Sequence, residues 1–180
     1  MTRHSPLTTH HLPLLLLSLA ILGTLARAED QADYSGFYAS PAIGGAFMDS
    51  RLPVRGGATC ALRLGYDLNE PYSVEATMAW HPTRTEGDET LNAFRATLDW
   101  LYHFTRWERE DPFLSLGGGV LTAEQEVLGA GRVIGVVSLG GGMFYHLSEH
   151  FSLRGDAAFL ATTHRGLCGM TASLGMAVAF

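Results

Sequence analysis

Apolar and polar positions alternate with a period of two along most of this chain, and the clearest run is its last. Met170, Ala172, Leu174, Met176, Val178 and Phe180 share one face, and Thr171, Ser173, Gly175, Ala177 and Ala179 share the other. That is the pattern of a strand whose two faces meet different surroundings. At about eleven residues the run matches the ~9–11 residues that a tilted strand needs to cross a bilayer.

Seven further strands are predicted on the same grounds. Residues 36–47 set Phe37, Ala39, Pro41, Ile43 and Phe47 against Tyr38, Ser40, Ala42 and Gly44, with Pro41 reading as an edge or bulge position because it cannot donate to a ladder. Residues 58–68 and 72–81 flank a tight turn at Asn69-Glu70-Pro71. In residues 91–104, Phe94, Ala96, Leu98, Trp100, Tyr102 and Phe104 oppose Arg95, Thr97, Asp99, Leu101 and His103, and this alternation decides against a helix. The remaining strands are read at 113–121, 133–147 and 151–160, with the longest loop at Thr122–Arg132. Eight strands joined by tighter and longer turns in alternation predict an all-β, antiparallel, up-and-down barrel.

Charge decides which face points inward. Arg63, Asp67, Glu75, Arg95, Asp99, Arg154 and Asp156 all lie on the face that carries Gly, Ala, Ser and Thr, and the other face carries the bulky apolar side chains. An eight-stranded barrel is just wide enough for side chains to fill. Three arginines and four acids neutralise one another there, whereas each is costly against hydrocarbon. A soluble barrel would instead expose some thirty large apolar side chains to water, far beyond ordinary patch sizes. A transmembrane barrel with a polar lumen is therefore expected. Phe37, Tyr66, Tyr72, Trp100, Tyr102, Tyr145, Phe151 and Phe180 fall near one end of their strands, as an interfacial girdle requires and scattered core aromatics do not.

The amino-terminus fits this picture. Arg3, an apolar run from Leu12 to Leu25 and Ala26-Arg27-Ala28 describe a secretory signal peptide cleaved after Ala28. The run is too short for a membrane-spanning helix, which needs ~20 residues. Residues 1–28 are thus expected to be a signal peptide, 29–35 a short periplasmic segment and 36–180 the barrel. Beyond Ala28 ten arginines face all 18 acidic residues, a net charge of −8 with His neutral, which disfavours nucleic acid as a partner.

The chain resembles the small eight-stranded outer-membrane β-barrel family, to which the OmpA barrel and the opacity and attachment-type proteins belong. The resemblance covers about Tyr34–Phe180 and rests on the architecture and on the ending, where Ser173, Gly175, Val178 and Phe180 are similar to that family's closing strand. Position 178, more often aromatic there, is Val here. The resemblance implies an integral protein of the bacterial outer membrane with both ends in the periplasm. It also implies that Ser173, Gly175, Val178 and Phe180 are read by the barrel assembly machinery. Function differs among family members, so the transfer stops at location and fold.

Candidate chemistry is sparse. His146-Leu147-Ser148 invites comparison with outer-membrane lipid A deacylases. Ser148 sits in a turn, however, and Glu149 is adjacent in sequence, whereas a triad needs its base held between nucleophile and acid. The five histidines past the leader, His81, His103, His146, His150 and His164, lack metal-ligand spacing apart from His146/His150, which would need a helix. The glycine triplets 117–119 and 140–142 lie inside strands and are not phosphate loops. Cys60 and Cys168 would share an oxidising compartment but stand about 10 Å apart across an intervening strand, beyond disulfide reach. Arg51, Arg55, Arg84, Arg132 and Arg165 in the outer loops are candidate lipopolysaccharide contacts, since guanidinium groups bind phosphate bidentately.

The expected role is structural or surface-interacting and non-enzymatic, with no cofactor, in a monomer whose lumen is plugged. The alternative is a narrow porin-like pore or small hydrophobic-solute channel. An adhesin is less favoured, because the loops are short.

Overall fold

In the computed structural model the described residues are 36–48, 54–69, 71–85, 90–105, 109–123, 133–163 and 168–180. Residues 1–35, with the expected signal peptide at 1–28 and periplasmic segment at 29–35, lie outside them. Residues 33–179 make one compact unit, and everything below concerns that unit.

Eight long strands form it: β1 (Phe37–Met48), β3 (Gly57–Asn69), β4 (Tyr72–Thr85), β5 (Thr90–His103), β6 (Glu110–Ala123), β7 (Val133–His146), β8 (Phe151–Thr162) and β9 (Cys168–Ala179). A two-residue strand, β2 (Val54–Arg55), pairs with the end of β4. Every neighbouring pair is antiparallel. β1 pairs β9 as well as β3, and β4 pairs β5, so the sheet closes into a barrel without a free edge. One end carries the short connections around Pro71, 104–109 and 147–150; it is called the short-turn end here.

The strands run further than alternation alone predicts. β4 continues through Thr85 and β6 starts at Glu110 and reaches Ala123, so residues expected in loops extend the ladders at both ends. Pro41 is not at an edge. It pairs with Leu62 on β3, while the ladder to β9 runs through Ala39↔Val178 and resumes at Ala42↔Gly175, skipping Ser40 and Pro41. The missing N–H thus falls where no ladder bond is made.

Outward positions are apolar and exposed: Ile43 and Leu174 at 71%, Leu98 at 65% and Phe159 at 66%. Inward charges are the reverse, with Glu75 at 2% and Arg154 at 4%. Outward aromatics mark the short-turn end, where Phe37 meets Tyr66 at 4.7 Å and Tyr72 meets Trp100 at 5.5 Å and Tyr102 at 5.6 Å between ring centroids. A second group, Phe47, Trp80 and Phe94, marks the opposite end. Two such groups are the girdles of a barrel with two interfaces.

The interior is not uniformly small and polar. Tyr38, Leu101, Phe113 and Phe144 are buried in one apolar cluster, and Ala93, Leu121 and Ile134 in another. Glycines on the facing strand make room for the larger side chains. Gly65 lies opposite Tyr38, and a Cβ on it would come within 2.0 Å of the phenol ring. Gly117 lies opposite Asp99, where a Cβ would meet Oδ1 at 2.0 Å.

Candidate functional site

The lumen is organised in levels along the barrel axis. The central level is an ion-pair network drawn from β3, β4, β8 and β9. Arg154 clamps Glu75 with both terminal nitrogens, Nη2 lying 3.1 Å from Oε1 and Nη1 bonding Oε2, and its Nε donates to Asp156 Oδ2 at 3.0 Å. Arg63 Nη2 donates to Asp156 Oδ1 at 2.9 Å and to Ser173 Oγ at 2.7 Å, and its Nε lies 3.8 Å from Glu75 Oε1. Ser173 in turn donates to Asp156 at 2.9 Å, and the Tyr38 hydroxyl donates to Glu75 Oε2 at 2.9 Å. The guanidinium of Arg154 lies between two rings, 4.9 Å from the centroid of Phe113 and 4.8 Å from that of Phe144. Fork-to-carboxylate pairing with ring stacking is what arginine does and lysine does not.

Asp99 is held separately. It faces Glu75 across the β4–β5 ladder, yet its oxygens accept from Thr97 at 2.7 Å, Thr77 at 3.3 Å and Ser138. A carboxylate caged by hydroxyls needs no guanidinium nearby.

At the short-turn end a second network crosses six consecutive strands. Ser73 (β4) donates to Asp67 (β3) at 2.7 Å, and its Oγ lies 2.9 Å from His103 Nε2 (β5). His103 Nδ1 lies 2.8 Å from Asp111 Oδ2 (β6), His146 Nε2 (β7) lies 3.8 Å from the same oxygen, and His146 Nδ1 lies 2.7 Å from Ser152 Oγ (β8). His103, Phe144 and His146 stack, with centroids 5.9 Å and 6.4 Å apart. A cavity of about 260 Å³ opens beside them, lined by Tyr38, Asp67, Asp111 and Glu149 among others.

Ser73, His103 and Asp111 stand in the order of nucleophile, base and orienting acid. Ser73 is fully buried, however, and its single proton goes to Asp67, so Oγ serves here as a hydrogen-bonded link between strands. His146-Leu147-Ser148 divides differently. His146 closes β7 and joins this network, while Ser148 Oγ accepts the Phe151 N–H at 3.2 Å within the turn. No group of three or more metal-ligating side chains occurs among the described residues.

Of the charged residues that the sequence places in the lumen, Arg63, Glu75, Arg154 and Asp156 come together. Asp99 and Asp67 join other networks, and Arg95 makes no hydrogen bond or ion pair with the described residues, its buried Nε lacking a partner. Tyr38, Ser73 and His103 lie on the face that alternation turns inward, though nothing in it marks them as network members, and Asp111, Ser138 and His146 are further lumen residues. Ser173 and Gly175 belong to β9, where Ser173 enters the central network and Gly175 brings β9 close to β1: a Cβ there would meet Pro41 O at 2.4 Å. Val178 is on the same strand and Phe180 follows it. Among the candidate loop arginines, Arg55 and Arg84 are not in loops, because they face each other in the β2–β4 ladder. Arg51, Arg132 and Arg165 lie outside the described residues. The Cys60 thiol is free. Cys60 pairs with Ile43 and Ile43 with Leu174, so Cys168 lies six residues further along β9 than the closest approach, further away than the expected 10 Å.

A closed barrel with an apolar outer wall, two aromatic girdles and a charged interior defines a small membrane-spanning barrel protein. The chain belongs to the outer membrane protein beta-barrel domain family, whose model matches residues 13–180. The fold is similar to that of Neisserial surface protein A, with a TM-score of 0.70 and 17% identity over 81% of this chain and 98% of that one. It is also similar to outer membrane protein OprG of Pseudomonas aeruginosa, with a TM-score of 0.58 and 14% identity over 81% and 96%. The outer membrane enzyme PagL gives a TM-score of 0.52 and 16% identity over 79% and 99%. At these identities the likeness is one of fold. No curated protein matches the chain.

Proposed function

We propose that this is a sealed barrel of the bacterial outer membrane with a structural or surface-interaction role, neither enzyme nor open pore. The observation that carries the reading is the central level. Arg63, Glu75 and Arg154 are each at most 5% exposed and, with Asp156, are tied across the lumen from β3, β4 and β8, with the rings of Phe113 and Phe144 stacked on Arg154. Side chains that neutralise and hydrogen-bond one another in this way fill an eight-stranded interior.

On this reading the short-turn end faces the periplasm, the chain is exported by a leader cleaved after Ala28, and the barrel works as a monomer. Ser173, Gly175, Val178 and Phe180 are presented to the assembly machinery, and Arg51, Arg55, Arg84, Arg132 and Arg165 meet lipopolysaccharide phosphates at the other end. The competing reading is a narrow porin-like pore or a channel for small hydrophobic solutes. Recording in planar bilayers separates them. The refolded mature chain is expected to give no unitary steps; reproducible steps that Arg95→Gln abolishes would overturn the sealed-barrel reading.

A further inference from the structure

Above the central level, away from the short turns, the inner wall is built differently. The β3–β4–β5 registers place Ala61 and Arg95 on either side of Ala79, and Ala42 pairs with Ala61 on β1. Along β4 the inward neighbours of Ala79 are Thr77 and His81, and along β3 those of Ala61 are Thr59 and Arg63. Small side chains therefore occupy the centre of the patch, and Arg95, His81, Thr59 and Arg63 surround it.

These four are buried, with exposures of 7%, 1%, 3% and 5%, and each has a polar atom without a hydrogen-bond partner among the described residues. The atoms are Arg95 Nε, both ring nitrogens of His81, Thr59 Oγ1 and Arg63 Nη1. Every one of these groups can donate, since either tautomer of a neutral imidazole carries one N–H. The nearest inward carboxylate on β5, Asp99, lies four residues from Arg95 and accepts from Thr77, Thr97 and Ser138. Buried polar groups are nearly always partnered, yet Arg95, attracted by Asp99 and Asp156 through space, has no hydrogen bond at its buried Nε. Donor groups that make no hydrogen bond among the described residues, around a floor of alanines, suit a compact acceptor carrying negative charge.

We propose that this patch binds a small free oxyanion of the phosphate or sulfate class. Arg95 supplies the charge-assisted bonds, and His81, Thr59 and Arg63 Nη1 complete the donor set. Directly opposed inner positions are about 5 Å apart and diagonal ones about 7–8 Å, so long side chains around Ala79 converge on one ligand of that size. The groups face the lumen, out of reach of phosphates on lipid headgroups, so the ligand is a dissolved ion. Anion binding does not require conduction, because the central level closes the barrel beneath the site.

The test uses the mature chain refolded in detergent micelles and labelled with nitrogen-15 in its arginine and histidine side chains. Sodium phosphate is titrated against sodium gluconate, whose anion is too large, at constant ionic strength. Saturable shifts of the Arg95 Nε–H and His81 ring signals are expected with phosphate only, while the Arg154 signals, paired to Glu75, stay fixed. Removing the charge-assisted partner in Arg95→Gln should weaken the His81 response by about tenfold or more. Should that variant fail to fold, His81→Gln must weaken the Arg95 response instead. Shifts that do not saturate, or that are equal in the two salts, would overturn the proposal and leave water as the occupant.

Discussion

The two halves of the lumen solve the same problem in opposite ways. Toward the short turns, polar groups are chained together, from Asp67 through Ser73, His103 and Asp111 to His146 and Ser152, and from Tyr38 through Glu75 and Arg154 to Asp156 and Arg63. Toward the other end, alanines replace that bulk, and Arg95 and His81 project among them with unpartnered nitrogens. In one half most groups are paired within the chain, Asp111 Oδ1 and His146 Nε2 being exceptions, and in the other Arg95 Nε and both ring nitrogens of His81 have no hydrogen-bond partner among the described residues. The difference teaches that counting lumen charges says little about a barrel of this kind, because what matters is which charges share a level.

The comparison makes graded predictions about stability, measured by denaturant unfolding of the refolded barrel in lipid vesicles. Glu75→Ala should cost most, about 3–5 kcal/mol, because it strands the buried Arg154 and removes a contact of Arg63. A loss below about 1 kcal/mol would mean that the central network is not formed. Gly65→Ala should cost about 1–3 kcal/mol by driving a methyl into the Tyr38 ring, and Tyr38→Ala in the same chain should relieve the clash. Asp111→Asn should cost about 1–3 kcal/mol, since the carboxylate lies between His103 and His146. Arg95→Met should change stability by less than about 1 kcal/mol in an anion-free buffer, since no ion pair is broken. If Arg95→Met cost as much as Glu75→Ala, the distinction between the two halves would collapse.

Much of this architecture was legible in the sequence because lipid imposes a strict period on a strand. In β5 the alternation from Phe94 to His103 is interrupted only by Leu101, and the structure buries Arg95, Thr97, Asp99, Leu101 and His103 while exposing Phe94, Leu98, Trp100 and Tyr102. Alternation carries no register, however. Nothing local says that Arg63 and Ser173, 110 residues apart, are 2.7 Å from each other, or that Glu75 pairs with Arg154. Asp111 and His146 do not read as network members because they stand at strand ends, where charged residues ordinarily belong to turns, and His103, which alternation points inward, carries no local sign of the partners it meets. The inward aromatics Tyr38 and Phe113 also broke the expected rule of small residues inside. A signal for them exists, since each lies opposite a glycine, Gly65 and Gly142, but it can be read only once the strands are aligned.

The central claim is that the Glu75–Arg154 level seals the lumen, and thiol accessibility from the two sides of the membrane tests it most directly. With Cys60 and Cys168 replaced by Ser, Ala79→Cys and Ala177→Cys place single thiols on the inner wall, one in the alanine-lined half and one beside the cavity at the short-turn end. In vesicles with uniformly oriented barrels, a charged, membrane-impermeant reagent should label Ala79→Cys from one side only and Ala177→Cys from the other side only. Labelling of either thiol from both sides would contradict the sealed barrel and make the lumen a path for solutes.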